Sequence, residues 1–195
     1  MGAEVTSRQG SLGAVARRLA DAFAWRETPW GTFADASEWW HDPELLAMLG
    51  PGLGALHADA RPTLIVGIET RGLVLGPITA LHLGVGFVEI RKDRRIVGEY
   101  RGPAADPLLR AATPPEYQDG GLTLVVPGRL FRPGDRVLLV DEWIETGAQA
   151  SAVRRMVTEA GAEWIGAAVV VDACAPHVRA RLDVRGLLTE DDLPA

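Results

Sequence analysis

Arg136-Val137-Leu138-Leu139-Val140-Asp141-Glu142-Trp143-Ile144-Glu145-Thr146-Gly147-Ala148-Gln149-Ala150 runs an apolar segment into two adjacent carboxylates, then into a small turn that opens a helix. Residues 137–141 have the length and β-branched content of a buried parallel strand, and 148–160 reads as a helix. The turn between them sits at the carboxyl end of a strand and the amino end of a helix, where backbone N–H groups and the helix dipole favour a phosphate. Asp141 and Glu142 stand just before it, placed to accept hydrogen bonds from two sugar hydroxyls or to hold a cation through water. Phosphate, diol and cation together point to a ribose 5-phosphate. A plainer reading of this segment alone is a buried strand, an acidic surface turn and a capped helix.

A second segment repeats the pattern. Thr63-Leu64-Ile65-Val66-Gly67-Ile68-Glu69-Thr70-Arg71-Gly72 takes an apolar strand into a Gly-flanked charged turn, and 73–83 follows as an almost wholly apolar helix containing Pro77 and His82. Gly86-Phe87-Val88-Glu89-Ile90-Arg91-Lys92 then gives another strand, ending in two cations. Arg71 and Lys92 place cations at these two turns, which a strand-helix-strand unit with solvated charges at its ends does not explain. Strands over 63–68, 85–90, 122–126, 137–141 and 164–171 alternate with helices over 73–83 and 148–160. That order predicts an α/β fold: a doubly wound, mostly parallel β-sheet flanked by helices, with sites at the carboxyl ends of its strands.

Both segments resemble the type I phosphoribosyltransferases, whose signature is an apolar strand, two acidic residues, two spacers and a Thr-Gly phosphate loop. The Gly-Ile-Glu-x-Arg-Gly turn, the Leu-Gly-Val-Gly-Phe turn and the Arg-Lys pair are similar, more narrowly, to the adenine phosphoribosyltransferases. The resemblance implies magnesium-dependent transfer of phosphoribose from phosphoribosyl pyrophosphate to a nucleobase nitrogen, adenine first, with release of pyrophosphate. It implies donor binding by Glu69, Thr70, Gly72, Lys92, Asp141, Glu142, Thr146, Gly147, Ala148, Gln149 and Ala150, with Arg71 at the reacting centre. Mg2+ is the implied cofactor, held by the donor and by water near Asp141 and Glu142 rather than by a direct protein ligand set. A homodimer is the implied assembly.

This chain departs from the family pattern at three places in the loop. Ala148 stands where a second Gly or a small polar residue is usual, and Gln149 where Thr or Ser supplies a hydroxyl. Glu145 matches the acid that serves as base in the hypoxanthine-guanine branch; otherwise it is a helix-entry carboxylate stabilised by the dipole. Glu116, in a Glu-Tyr pair before the third strand, is the other candidate to take the acceptor's proton. A segment over 25–45 resembles the hood that packs on the base, with Trp30 and Phe33 able to stack on a purine, Ala34 where Arg is frequent, and Trp39 and Trp40 where aliphatics are common. Trp143 either walls the base pocket or is buried behind the loop. Alternatives are an acceptor other than a nucleobase, or a regulator that binds the donor or a nucleotide without turnover.

Elsewhere the reading is plainer. A helix over 11–23 carries Leu12, Val15, Leu19 and Phe23 on one face, 25–40 reads as irregular, and a helix from Pro43 runs to about Leu49, where Gly50-Pro51-Gly52 interrupts it. Residues 92–121 read as a long flexible loop that closes over the reacting centre in the resembling family, carrying Glu99, Tyr100 and Arg101. Asp172 ends a strand and is either a solvated end or a contact to the acceptor, and 185–188 reads as an edge strand before an acidic tail. The 195 residues, 47% of them hydrophobic, suffice for one domain. A net charge of −6 argues against nucleic-acid binding. The lone Cys174 excludes an internal disulfide, the four histidines are dispersed, and with no secretory or membrane-spanning pattern a cytoplasmic protein is expected.

Overall fold

In the computed structural model, residues 2–29, 31–93, 107–114 and 121–194 are described, with 2–11 as backbone only. The chain forms α1 (Gly2–Asp21), β1 (Ala24–Thr28), β2 (Gly31–Asp35), α2 (Ser37–His41), α3 (Pro43–Leu56), β3 (Leu64–Ile68), α4 (Gly72–Leu83) and β4 (Gly86–Lys92). After these come β5 (Leu108–Ala112), β6 (Thr123–Pro127), β7 (Arg136–Ile144), α5 (Ala148–Glu159), β8 (Glu163–Asp172), α6 (Pro176–Leu182) and β9 (Val184–Thr189). Among the described residues seven strands form one sheet in the order β5-β6-β4-β3-β7-β8-β9. From β4 to β9 the strands are parallel, and β6 and β5 add an antiparallel edge.

Burial on both faces explains the continuous apolar runs. Every residue of β3 is buried, and Val137 to Val140 have no exposed surface. One face packs on Leu75 and Ala80 of α4, Leu45, Leu49 and Leu53 of α3, and Val15 and Leu19 of α1. The other packs on Ala150, Val153 and Met156 of α5 and on Val178 and Leu182 of α6. The helix that follows β3 therefore lies on one side and the helix that follows β7 on the other. Because β3 and β7 are neighbours, a crevice opens between their carboxyl ends, the switch point of a doubly wound sheet.

Four local expectations are corrected. Residues over 25–40 are not irregular: β1 and β2 form an antiparallel hairpin, with an Arg26–Asp35 ion pair and a Thr32 to Glu27 hydrogen bond of 2.9 Å across it. Helix α3 does not stop at Gly50. It runs through Gly50-Pro51-Gly52, because the missing side chains let it lie against α4, where a Cβ on Gly50 would stand 2.7 Å from the Ile78 carbonyl oxygen; that packing outweighs the local breaker signal. The stretch over 92–121 contains β5, whose hydrogen bonding to β6 supplies what its weak periodicity does not. Helix α6 was not expected, although Pro176 at its first turn and the Val178/Leu182 pair four apart are its signals. Glu99, Tyr100, Arg101, Glu116 and Trp30 lie outside the described residues.

Candidate functional site

The crevice at the β3/β7 switch point is a cleft of about 170 Å3. Glu69, Thr70, Lys92, Asp141, Glu142 and all of 145–150 line it, together with Ile68, Leu139, Trp143 and Ile144. Parallel strands bring them together: Glu69 follows β3, Lys92 ends β4 and Asp141 lies near the end of β7, all on one edge of the sheet. β7 is longer than the expected 137–141, because Asp141, Trp143 and Ile144 continue to pair with Val169, Val171 and Asp172 of β8. The two acids are thus strand residues with fixed direction rather than members of a loose turn.

Two glycines shape the wall contributed by β3. A Cβ on Gly67 would fall 2.0 Å from the Gly72 carbonyl oxygen, and one on Gly72 would fall 3.1 Å from the Val140 carbonyl oxygen. Only bare backbone allows the turn over 69–71 to fold so close to β7. Glu69 accepts a hydrogen bond from the Lys92 N–H at 3.1 Å, tying the ends of β3 and β4. Arg71, half exposed beside the cleft, reaches across to Glu142 with Nη1 to Oε1 at 3.4 Å. Gly72 opens α4 and is buried beneath the turn.

The opposite wall is the turn before α5. Gly147 adopts φ 70° as the N-cap, a left-handed conformation suited to glycine. Thr146 Oγ1 accepts from the Ala148 N–H at 3.2 Å. The first turn of α5 directs its N–H groups toward the cleft end, the arrangement that binds anions. On the floor, Asp141 Oδ1 accepts from the Glu142 N–H at 3.0 Å. Burial, then the neighbouring Glu142 carboxyl, pushes the Asp141 carboxyl well above the usual carboxylate range. Two carboxyls this close do not both ionise easily without added positive charge.

Trp143 lines the cleft and also meets the hairpin: its ring lies 6.3 Å from Trp25 and 6.4 Å from Phe23. Trp143 is half-buried at the cleft wall rather than buried behind the loop. Phe33 pairs with Arg26, on the face of the hairpin opposite Trp25; it is 52% exposed and is not among the cleft-lining residues. Asp172 is not a solvated strand end. It is 4% exposed, accepts from the Cys174 N–H at 2.9 Å and is ion-paired with Arg179. Its carboxylate is committed to the turn over 173–175 and to α6 rather than open to a ligand, and a pairing made only where the chain folds back leaves no periodic mark in the sequence. Among the described residues no group of three or more His, Cys, Asp and Glu converges to hold a metal, and no helix is long and apolar enough to cross a membrane.

A strand-end acid pair facing a helix amino terminus, across a sheet of this order, is the arrangement of a doubly wound α/β protein with an anion site at its switch point. The chain belongs to the phosphoribosyl transferase domain family, whose profile matches residues 54–192, and it carries the type I fold. Within that family it is similar to adenine phosphoribosyltransferases. It is 33% identical to that of Cupriavidus pinatubonensis over 140 residues, 72% of this chain and 68% of that protein. It is 32% identical to that of Streptomyces coelicolor over 179 residues, 92% of each. Among solved structures, the adenine phosphoribosyltransferase of Rhodothermus marinus superposes with TM-score 0.72 at 31% identity, covering 90% of this chain and 98% of that one. The Saccharomyces cerevisiae enzyme, in complex with an imino-altritol bisphosphate and adenine, superposes with TM-score 0.74 at 26% identity, covering 90% and 99%. The chain is an enzyme of the phosphoribosyltransferase class, adenine phosphoribosyltransferase-like.

Proposed function

We propose that this protein transfers phosphoribose from phosphoribosyl pyrophosphate to a ring nitrogen of adenine, releasing pyrophosphate. The observation that carries the reading is that Lys92 lines the same cleft as the acid pair Asp141 and Glu142 and the helix entry over 145–150, with Arg71 held beside it on Glu142. The helix entry of α5, with Thr146, Gly147, Ala148, Gln149 and Ala150, takes the 5-phosphate. Asp141 and Glu142 take the ribose hydroxyls. The turn of Glu69, Thr70, Arg71 and Gly72, with Lys92, takes the pyrophosphate. Three-point holding removes much of the entropic barrier to reaction.

As the bond at C1 of the ribose breaks, positive charge grows on the sugar and negative charge on the departing pyrophosphate. Asp141 and Glu142 stabilise the first, and Arg71 and Lys92 the second. The raised Asp141 carboxyl beside Glu142 is an arrangement that a bound cation relieves, so this pair fits Mg2+ held mainly by donor oxygens and water. Magnesium bound with the donor supplies positive charge to the leaving group. The acceptor's proton goes to Glu116 or to Glu145, and Trp143, which lines the cleft, faces the base; Phe33, exposed outside the cleft, does not reach it in this arrangement. The protein works as one cytoplasmic domain and as a homodimer, which the apolar face between α3 and α4 supports: Leu81 there is 82% exposed.

The test is pyrophosphate release with magnesium, phosphoribosyl pyrophosphate and a panel of bases. Release with adenine alone is the expected outcome, and Asp141→Asn lowers donor use sharply. Donor binding with no release under any condition refutes transfer in favour of a sensor. Gln149, at the position of the usual hydroxyl, favours a second reading, an acceptor other than a nucleobase; release with a non-base amine and with no base selects it.

A further inference from the structure

Behind the turn over 145–147 lies a bracket that does not touch the cleft. At its outer end β8 stops at the buried Asp172. Arg179 Nε donates to Asp172 Oδ2, and Arg179 Nη2 donates to the Cys174 carbonyl at 3.1 Å. One guanidinium therefore joins the strand end, the turn over 173–175 and α6. Helix α6 is only seven residues long, too short to persist by its own hydrogen bonds. At its amino end its position is set by this cross-link and along its length by the burial of Val178 and Leu182, while at its carboxyl end Arg154 and Trp164 donate to the Arg181 and Leu182 carbonyls at 2.6 and 3.0 Å and Arg181 donates to Ser151 Oγ at 3.3 Å.

Those two side chains rest on the phosphate turn. A Cβ on Gly147 would lie 2.6 Å from Val178 Cγ1 and 2.9 Å from Leu182 Cδ1, so the glycine is seated directly against α6. At the other end of the turn, the Ile144 carbonyl accepts from the Ala173 N–H at 2.9 Å and from Cys174 Sγ at 3.4 Å. The bracket over 172–182 thus holds the turn on both sides of Glu145 and Thr146. Interiors packed this closely transmit displacement rather than absorb it.

We infer that Arg179, through its ion pair with Asp172, is a positioning residue for the 5-phosphate turn: it seats α6, and α6 seats Gly147. This rests on the reading of the turn over 145–150 as the 5-phosphate site. Loosening the pair leaves the cleft side chains intact but lets the N–H groups of the turn drift, and the loss appears in donor binding before acceptor binding.

Removing Arg179 alone strands a buried carboxylate, so the variant to use is the neutral pair Asp172→Asn with Arg179→Gln, alongside Arg179→Lys. Ribose 5-phosphate binding is measured by calorimetry, KM for donor and for base by pyrophosphate release, and folding by thermal denaturation. The expected result for the neutral pair is a cooperative fold, ribose 5-phosphate affinity and donor KM worse by about tenfold or more, and base KM changed less than about twofold. Arg179→Lys, which keeps the charge but not the fork, falls between the pair and the parent. A neutral pair that melts lower or is less active with both KM values unchanged overturns the inference, because that is a purely structural role. If the double variant does not fold, Arg179→Lys decides alone: a parental donor KM overturns the inference. A parent protein that binds no ribose 5-phosphate refutes the phosphate reading itself, a result distinct from parental binding retained in the variants.

Discussion

Replacing Gly147 by Ala probes the seating of the phosphate turn with one methyl group. Two costs are readable from the structure. The residue has φ 70°, and an L side chain in the left-handed region costs roughly 1–2 kcal/mol. The new Cβ also starts 2.6 Å from Val178 Cγ1 and 2.9 Å from Leu182 Cδ1. Both belong to buried side chains, and overpacking of this kind typically costs about 1–3 kcal/mol. Together they predict about 2–5 kcal/mol, a fall in melting temperature of roughly 4–20 °C for a chain of this size. Gly161→Ala is the internal control: Gly161 has φ 78°, but a Cβ there meets nothing within 4 Å. It carries the backbone cost alone, so urea titrations of the two variants isolate the steric contribution of α6. Gly147→Ala no more destabilising than Gly161→Ala would show that α6 does not press on the turn, and would refute the reasoning.

Three further outcomes are expected. His57 is fully buried, with Nε2 3.2 Å from the Ala167 carbonyl and Nδ1 without a hydrogen bond among the described residues, 3.9 Å from an Asp183 carboxylate oxygen, and burial, then Arg185, hold its pKa below the usual histidine value against the opposing pull of Asp183 and Asp59. Because the unfolded chain binds that proton more readily, stability is complete above pH ~6.5 and declines below it, by up to about 1.4 kcal/mol per pH unit. Denaturant titrations from pH 7 to 5 check this, and a His57→Leu variant with the same slope as the parent rejects it. Cys174 is 5% exposed and its thiol is pushed up to about 12, first by burial and then by Asp172; a disulfide reagent at pH 8 labels it only after denaturation, and rapid native labelling contradicts that. If the proposed homodimer forms through the α3/α4 face, Leu81→Asp lowers the sedimentation coefficient from that of a dimer to that of a monomer, whereas a dimeric parent with an unchanged variant rejects this face as the interface.

The parts of the fold legible in the sequence are those decided by neighbours along the chain. β3, β7 and β8 are apolar runs because both sheet faces are covered, β4 alternates with Val88 and Ile90 buried and Glu89 and Arg91 exposed, and α4 and α5 follow turns whose glycines mark their starts. The cleft residues were legible for the same reason: Glu69 to Gly72 and Asp141 to Ala150 are contiguous stretches, each at one strand end. What escaped the sequence depends on partners distant along the chain. β5 exists through its pairing with β6, α3 survives its Gly-Pro-Gly through contact with α4, and the β1/β2 hairpin is braced by cross-strand pairs such as Arg26 with Asp35. Asp172 reads as a solvated strand end until Arg179, seven residues on, is brought back to it by the turn into α6.

The aromatic contacts at the hairpin have an optical consequence. Trp25 and Trp143 stand 6.3 Å apart with their planes at 72°, and Phe23 and Trp39 continue the cluster away from the cleft. Indoles at this separation couple their excited states, so the near-ultraviolet circular dichroism of the unlabelled protein carries a signal from the place where hairpin and cleft meet. A molecule entering beside Trp143 perturbs that signal, and so does any shift of β1. Cleft occupancy and hairpin movement are therefore recorded by one spectrum, with no dye attached.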